Sequence, residues 1–312
     1  VESLNIFLSG IQYELGDKKE LSSLFEQTDN IDDEEILKNL GLKFFRKSKV
    51  SMPSMLVKCA QRTLAESGID PLTIKSVLFV TSSLQDHSKD KNEIGEMLCQ
   101  LGLKNAYPVG IFLSRCTNFS IAIQTAMNLI KAEGQDSILV LISDVTSKSP
   151  NTPALIPSNV SVSSDAAVSF IVSKTVACTF KVLGTEHITN QKMWNSTASA
   201  GFVGHFRLFS TALKSLIKRT LDKYNLEQEN IKYLITGNYN LSVQRNYASM
   251  LGFKNNQLYS KMLPDIAHAF ACDQLISMYS IAHHKLLNYD DKLLLLGTGD
   301  YYLGTVILEY KN

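Results

Sequence analysis

The chain has 312 residues, 45% of them hydrophobic and 20% charged, with a formal net charge of +1. That balance describes a soluble globular protein, large enough for one big domain or two ordinary ones, with no electrostatic footprint for nucleic acid. No apolar run reaches the ~20 residues of a membrane span, and the five cysteines (59, 99, 116, 178, 272) lie scattered without a CxxC pair, which points to reduced thiols in a cytoplasm and to no metal site.

Residues 4–13 read as a first strand, without the basic n-region of a signal peptide. The missing initiator Met points to a processed or trimmed start. Residues 21–25 and 33–40 read as short helices, the second with acids in its first turn. Phe44-Phe45-Arg46-Lys47 is an apolar-basic stretch, either a loop anchor or part of a site for an anionic ligand. Residues 54–67 place Met55, Leu56, Cys59, Ala60, Thr63 and Leu64 at helical spacing, and Gly68 ends that helix. A buried strand follows at 77–80, a helix at 93–101 stopped by Gly102, and a strand at 107–113. A helix at 121–132 and a strand at 137–142 come next, then a long Ser-, Pro- and Asn-rich loop at 146–161 and a strand at 166–172. This alternation predicts an α/β fold with a largely parallel sheet.

One cysteine stands where a strand hands over to a helix. In Leu113-Ser114-Arg115-Cys116-Thr117-Asn118-Phe119-Ser120 the apolar run stops, and a helical pattern (Ile121, Ala122, Ile123, Ala126, Met127, Leu129, Ile130) begins. A thiol there sits among unpaired backbone N–H groups at the positive end of the helix dipole. Both favour thiolate, the nucleophilic form.

The second half of the chain repeats the first. Residues 67–80 resemble 224–236, each finishing a helix and entering a strand through Ile-Lys (74–75 and 231–232). Leu101-Gly102-Leu103-Lys104-Asn105 resembles Leu251-Gly252-Phe253-Lys254-Asn255, and the strands at 137–142 and 166–172 resemble 292–296 and 305–309. Three matches in one order indicate duplication. Carried forward, the repeat sets Cys116 opposite the stretch holding His268, ahead of a helix at 274–287. In a pseudo-twofold fold the two helix starts face each other, as a thiol–imidazole pair requires.

These features together resemble the thiolase superfamily, and within it the ketosynthase III-like (3-oxoacyl-ACP synthase III-like) proteins. The resemblance rests on the Cys116 turn, on Ser143-Asp144-Val145 and on Ser164-Asp165-Ala166-Ala167-Val168-Ser169. It also rests on residues 235–240, on Ala267-His268, and on Gly297-Thr298-Gly299-Asp300-Tyr301-Tyr302-Leu303-Gly304. It implies a duplicated five-layered αβαβα core with pseudo-twofold symmetry, divided here as 1–175 with the nucleophile and 176–312 with the other catalytic groups. It further implies an acyl group taken by Cys116 from coenzyme A or acyl carrier protein. The oxyanion hole would be built from the backbone N–H groups of Cys116 and Gly299. No bound cofactor is expected beyond the thioester substrate itself. Decarboxylating members carry a His and an Asn that this chain lacks: the histidine position becomes Gly237, and the asparagine position is His268. The remaining pattern, Ala267-His268-Ala269-Phe270-Ala271-Cys272-Asp273, resembles members with a Cys-His-Asp triad that act as acyltransferases. In that arrangement Cys116 attacks, His268 moves the proton and Asp273 orients the imidazole.

Beside these, Cys59, Cys99, Cys178 and Cys272 read as core thiols, and His283-His284 as a surface pair without a third ligand. His187 and His205 are candidate assistants, and Asp144 and Asp165 hold turns. Lys214, Lys218 and Arg219 share a helix face. With Arg46 they form either a solvated surface or a docking site for an acidic carrier or coenzyme A phosphates. Residues 193–209 and 84–87 are expected to line the substrate pocket. The leading reading is an acyltransferase with a small-molecule acceptor, acting as a cytoplasmic homodimer, or as a heterodimer with another ketosynthase-like chain, without nucleic acid or membrane. A condensing enzyme with His268 alone assisting, and a non-catalytic thiolase-fold partner, are the alternatives.

Overall fold

The computed structural model describes residues 5–26, 31–82, 87–146, 154–174, 179–194 and 196–312. In chain order the first half runs β1 (Phe7–Leu15), β2 (Asp17–Glu20), α1 (Ile31–Asn39), β3 (Phe44–Lys47), α2 (Met52–Ser67), β4 (Ser76–Val80), α3 (His87–Gln100), β5 (Tyr107–Ile111), α4 (Asn118–Glu133), β6 (Ser137–Asp144), β7 (Leu155–Ile156), β8 (Ser161–Val162) and β9 (Ala166–Ser173). The second half runs β10 (Phe180–Thr189), α5 (Ser196–Lys223), β11 (Ile231–Ile235), α6 (Leu241–Met250), α7 (Leu263–Ile266), α8 (Asp273–His283), β12 (Lys292–Thr298) and β13 (Tyr302–Tyr310).

Local chemistry sets the elements. Ser51 caps α2 by accepting from the Ser54 N–H, and Gly68 closes it in the left-handed conformation at φ 65°. The apolar face read from the sequence is the buried one. Strands β6 and β9 are buried at every position. Both their faces are covered, which is why they read as continuous apolar runs rather than alternating ones.

The strands line up as β11-β12-β13-β10-β1-β9-β6-β4-β5. Among the described residues the two halves of this array join through Phe7 and Leu8, paired with Lys181 and Phe180, and through the Val182 N–H, which donates to the Ile6 carbonyl at 2.8 Å. Helices α4 and α8 share one apolar core with residues of both halves, among them Val140 and Phe170 on one side and Leu295 and Val306 on the other. Helices α2 and α3 cover the far face of the first sheet, against Leu139, Leu141 and Ile171. Helices α5 and α6 cover the far face of the second, against Leu294, Leu296 and Ile307. The result is the five-layered αβαβα order with a repeated half. The fifth strand of the second sheet shrinks to a single parallel bridge between Leu234 and Leu258. The division expected at 175 falls within 175–178, outside the described residues.

The expected largely parallel sheet is instead mixed. Among the described strands β4–β5, β4–β6 and β11–β12 pair in parallel, and the other strand-to-strand pairings of the sheet are antiparallel. Helical crossovers leave an alternating sequence signature, but the returns from β6 to β9 and from β12 to β13 carry no α-helix among the described residues and reverse the chain. No helix among the described residues is long and apolar enough to cross a membrane.

Candidate active site

The Cys116 turn is tied at four points. Between β5 and α4, a 3₁₀ turn spans Arg115–Thr117, and Arg115 has a φ of 44°. The Thr117 N–H and Oγ1 both donate to the Ser114 carbonyl, at 2.9 and 2.6 Å. The Ser114 N–H donates to Asn118 Oδ1 at 2.9 Å, and Asn118 Nδ2 donates to the Thr81 carbonyl at 2.8 Å. Gly297 of β12 completes the fit. A Cβ there would sit 2.8 Å from the Phe119 ring and 3.0 Å from the Cys116 carbonyl oxygen. Gly297→Ala should therefore lower stability by about 1–3 kcal/mol, read as a shift in the urea midpoint.

His268 comes from the other half. Ala267, at φ 56° and ψ −146°, turns the chain at the end of α7. The His268 N–H donates to the Val162 carbonyl at 2.9 Å, and its carbonyl accepts from the Ser164 N–H at 2.8 Å. This backbone clamp fixes the ring, whose faces meet Tyr239 (4.9 Å between centroids) and Phe270 (5.0 Å). Nε2 lies 3.3 Å from Cys116 Sγ, and Nδ1 lies 2.5 Å from Asp273 Oδ2. Asp273, fully buried at the start of α8, also accepts from the Asn238 N–H (2.7 Å), Asn238 Nδ2 (3.2 Å) and the Ala269 N–H (2.8 Å). Burial disfavours the charged His268 ring, but the Asp273 and Cys116 charges outweigh it and raise its pKa to about 10. Burial also keeps Tyr239 and Tyr247 as protonated phenols, the second pushed up to about 12. Asp144, buried among hydroxyl and amide donors, is pushed up to about 7.

The duplication explains the juxtaposition. The 3₁₀ turn Phe270–Cys272 precedes α8 as Arg115–Thr117 precedes α4, and Phe270, like Arg115, has a positive φ, here 54°. Aligned residue for residue, Asn118 matches Asp273, and each accepts from the N–H four residues before it. The positional mate of Cys116 is therefore Ala271, and His268 reaches the thiol from the arm just before the turn.

Cys116 and His268 open into a cavity of about 720 Å³ whose walls include Met193, Trp194, His205, Phe209, Tyr239, Tyr247 and Thr298. An Arg115–Asp300 ion pair at 3.2 Å stands among its lining residues.

A model of the 3-oxoacyl-[acyl-carrier-protein] synthase III C-terminal domain matches residues 221–310. Across the whole chain, the fold superposes on a structure named ChlB3 and described as an acyltransferase, with a TM-score of 0.87, 17% identity, and 99% and 98% of the two chains covered. It superposes on 3-oxoacyl-[acyl-carrier-protein] synthase III from Aquifex aeolicus VF5 at 0.79, 18% identity, and 98% and 100% covered. The priming β-ketosynthase of the R1128 polyketide pathway gives 0.78, 15% identity, and 98% and 97% covered. The whole chain has the fold of these synthase III-type structures, and its residues 221–310 match their C-terminal domain. No curated protein sequence matches it significantly.

Within this fold several expectations change. The Gly299 N–H, assigned to the oxyanion hole, donates to the Tyr302 carbonyl at 2.9 Å, because the β12–β13 hairpin continues through it. Arg46 is not a free docking cation: its guanidinium is held by the Asp265 side chain and carbonyl, since β3 packs beside α7. Lys218 pairs with Asp222, and Arg219 with Glu186 and the His187 carbonyl, while both cations stay exposed on the surface, outside the cavity lining. Lys214 is exposed on α5 and lies outside the cavity lining. Cys59 and Cys272 are buried as expected, but Cys99 is exposed on the outer side of α3, and Cys178 lies outside the described residues. His205 lines the cavity, whereas His187 turns to Ser120 Oγ at 2.9 Å. Of the expected pocket segments, Met193, Trp194, His205 and Phe209 do line it, while residues 84–86 lie outside the described residues. His283 and His284 are exposed, and no metal-type cluster occurs among the described residues.

Sequence reasoning missed Asn238, Tyr239 and Asn118. A hint was present: Asn118 follows Cys116 by two residues at a helix start, where a side-chain acceptor is expected. A side chain at Gly237 would meet the Tyr239 ring at 3.1 Å and His268 Cε1 at 3.3 Å. Tyr239 therefore fills the space beside the imidazole.

Proposed function

We propose that this ketosynthase III-like chain is an acyltransferase working through a Cys116 acyl-enzyme. The observation that carries the reading is the continuous line from Cys116 Sγ through His268 to Asp273. In the first step Sγ bonds to the thioester carbonyl carbon of an acyl-coenzyme A or acyl carrier protein. The carbon–sulfur bond of the donor then breaks, and the departing thiolate takes the proton held at His268 Nε2. In the second step a hydroxyl, amine or thiol acceptor gives its proton to Nε2 and displaces Sγ from the acyl carbon. Asp273 keeps Nδ1 as the donor and Nε2 facing the thiol, and it compensates the imidazolium charge. The Cys116 N–H, among the first of its turn, supplies the oxyanion contact, and Gly299 joins it only by giving up Tyr302. The cavity holds the acyl group. The reaction belongs to fatty-acid-, polyketide- or secondary-metabolite-type biosynthesis, with a homodimer or a mixed dimer as the working assembly.

Condensation is the second reading, supported by the synthase III match over 221–310. Against it stand Gly237 and the packed Tyr239 ring, where an imidazole would have to hold the malonyl thioester. The acylated protein should therefore pass its acyl group to a hydroxyl or amine acceptor and release no carbon dioxide from malonyl-coenzyme A. Stoichiometric carbon dioxide release with a 3-oxoacyl product would establish condensation instead.

A further inference from the structure

Asp144 is a buried carboxylate with no part in the acyl transfer itself. It ends β6 with its side chain inaccessible to solvent. Its Oδ1 accepts from Thr81 Oγ1 (3.1 Å) and the Ser82 N–H (2.6 Å), and its Oδ2 accepts from Ser82 Oγ (3.0 Å). Keeping a carboxylate among neutral donors costs stability that an apolar side chain of similar size would not. What the carboxylate holds is the end of β4 at its contact with the nucleophile turn. The Thr81 carbonyl receives Asn118 Nδ2, and Asn118 Oδ1 receives the Ser114 N–H.

We propose that Asp144 is a positioning residue for the nucleophile, fixing the Cys116 turn through Thr81 and Asn118. The proposal rests on the reading of Cys116 as the reacting thiol. Without the carboxylate, the Thr81–Ser82 segment loses three hydrogen bonds. The Thr81 N–H keeps its bond to the Ile111 carbonyl (3.1 Å), but its hydroxyl and the Ser82 side of the segment lose their anchor, so the Thr81 carbonyl shifts against Asn118 and the side chain that closes the Ser114–Thr117 turn is less well held. The 3.3 Å approach of Sγ to Nε2 depends on that closure. The other half of the chain uses the same device: Asn238 braces Asp273 there, as Thr81 braces Asn118 here.

The test measures iodoacetamide alkylation of Cys116 in the full chain, in a Cys99→Ser background, by peptide mass spectrometry, with circular dichroism confirming the fold. Asp144→Ala should slow alkylation by at least about tenfold. Asp144→Asn, which keeps an acceptor for Thr81 and the Ser82 N–H and can donate to Ser82 Oγ, should restore the rate to within about threefold. Asn118→Ala should match Asp144→Ala, and the double variant should be no slower than the slower single, since both act along one chain of contacts. A merely structural role would lower the melting temperature and leave the alkylation rate of the folded protein unchanged. A wild-type rate in Asp144→Ala, or additive slowing in the double variant, would overturn the proposal. If Asp144→Ala does not fold, Ser82→Ala replaces it in the same cycle, with the same non-additive result expected and additivity counting against the proposal. An unreactive wild-type Cys116 would instead overturn the reading of the thiol itself, and this proposal with it.

Discussion

His268→Ala should slow acylation of Cys116 from a coenzyme A thioester by at least about a thousandfold. The imidazole is the partner 3.3 Å from the thiol, and its two faces and both nitrogens are all engaged. Removing the ring removes the proton carrier of both chemical steps. The same ring gives a pH signature. Its pKa is about 10 in the folded chain against an ordinary 6.5. Its stabilisation is therefore complete below about pH 6.5 and is lost as pH rises through about 10. Unfolding free energy of the wild type should fall between pH 7 and 10, and His268→Ala should fall less over that window. Equilibrium denaturation at several pH values reads the difference directly. An equal pH dependence in both proteins would mean that the ring is not charged in the resting state.

Asp273→Ala should cost about 3–5 kcal/mol of stability and most of the activity. The carboxylate is the common acceptor for the His268 ring, both donors of Asn238 and the Ala269 N–H. Deleting it leaves the ring's Nδ1 position and three further donors buried without their acceptor, and each orphaned donor carries its desolvation cost. Asp273→Asn separates fold from chemistry. It keeps the volume and one acceptor oxygen, so the melting temperature should recover in large part. The acylation rate should stay down by about a hundredfold or more, because an amide neither fixes the Nδ1–H tautomer nor offsets the ring's charge. Equal recovery of stability and rate in Asp273→Asn would show that the carboxylate's charge is not used.

Much of this architecture is legible in the sequence. The helix at 54–67 announces itself through its apolar spacing and Gly68, and the strand-to-helix handover at Cys116 is visible as a change of period. The repeat brings His268 and Asp273 toward the thiol without any structure, because a pseudo-twofold axis maps one helix start onto the other. Side-chain commitments are what the sequence leaves hidden. Arg46, Lys218 and Arg219 look like free cations in a linear chain, yet each finds a carboxylate brought up by a distant element. Gly299 looks like an oxyanion donor by position, but whether a hairpin N–H points into the cavity or across to Tyr302 depends on the register of β12 and β13. Asn238 and Asn118 resemble ordinary turn residues until the structure shows which carboxylate and which carbonyl they reach. Strand direction is hidden for the same reason: the antiparallel returns to β9 and β13 leave no helical period in the sequence.

In the proposed reaction the sulfur of Cys116, activated by His268, carries the acyl group. Intact-mass spectrometry after incubation with a panel of acyl-coenzyme A and acyl carrier protein thioesters should show a single acyl adduct, mapped to the peptide containing residue 116, absent in Cys116→Ala and strongly diminished in His268→Ala. An adduct that persists in Cys116→Ala, or turnover that does not need this sulfur, would contradict it.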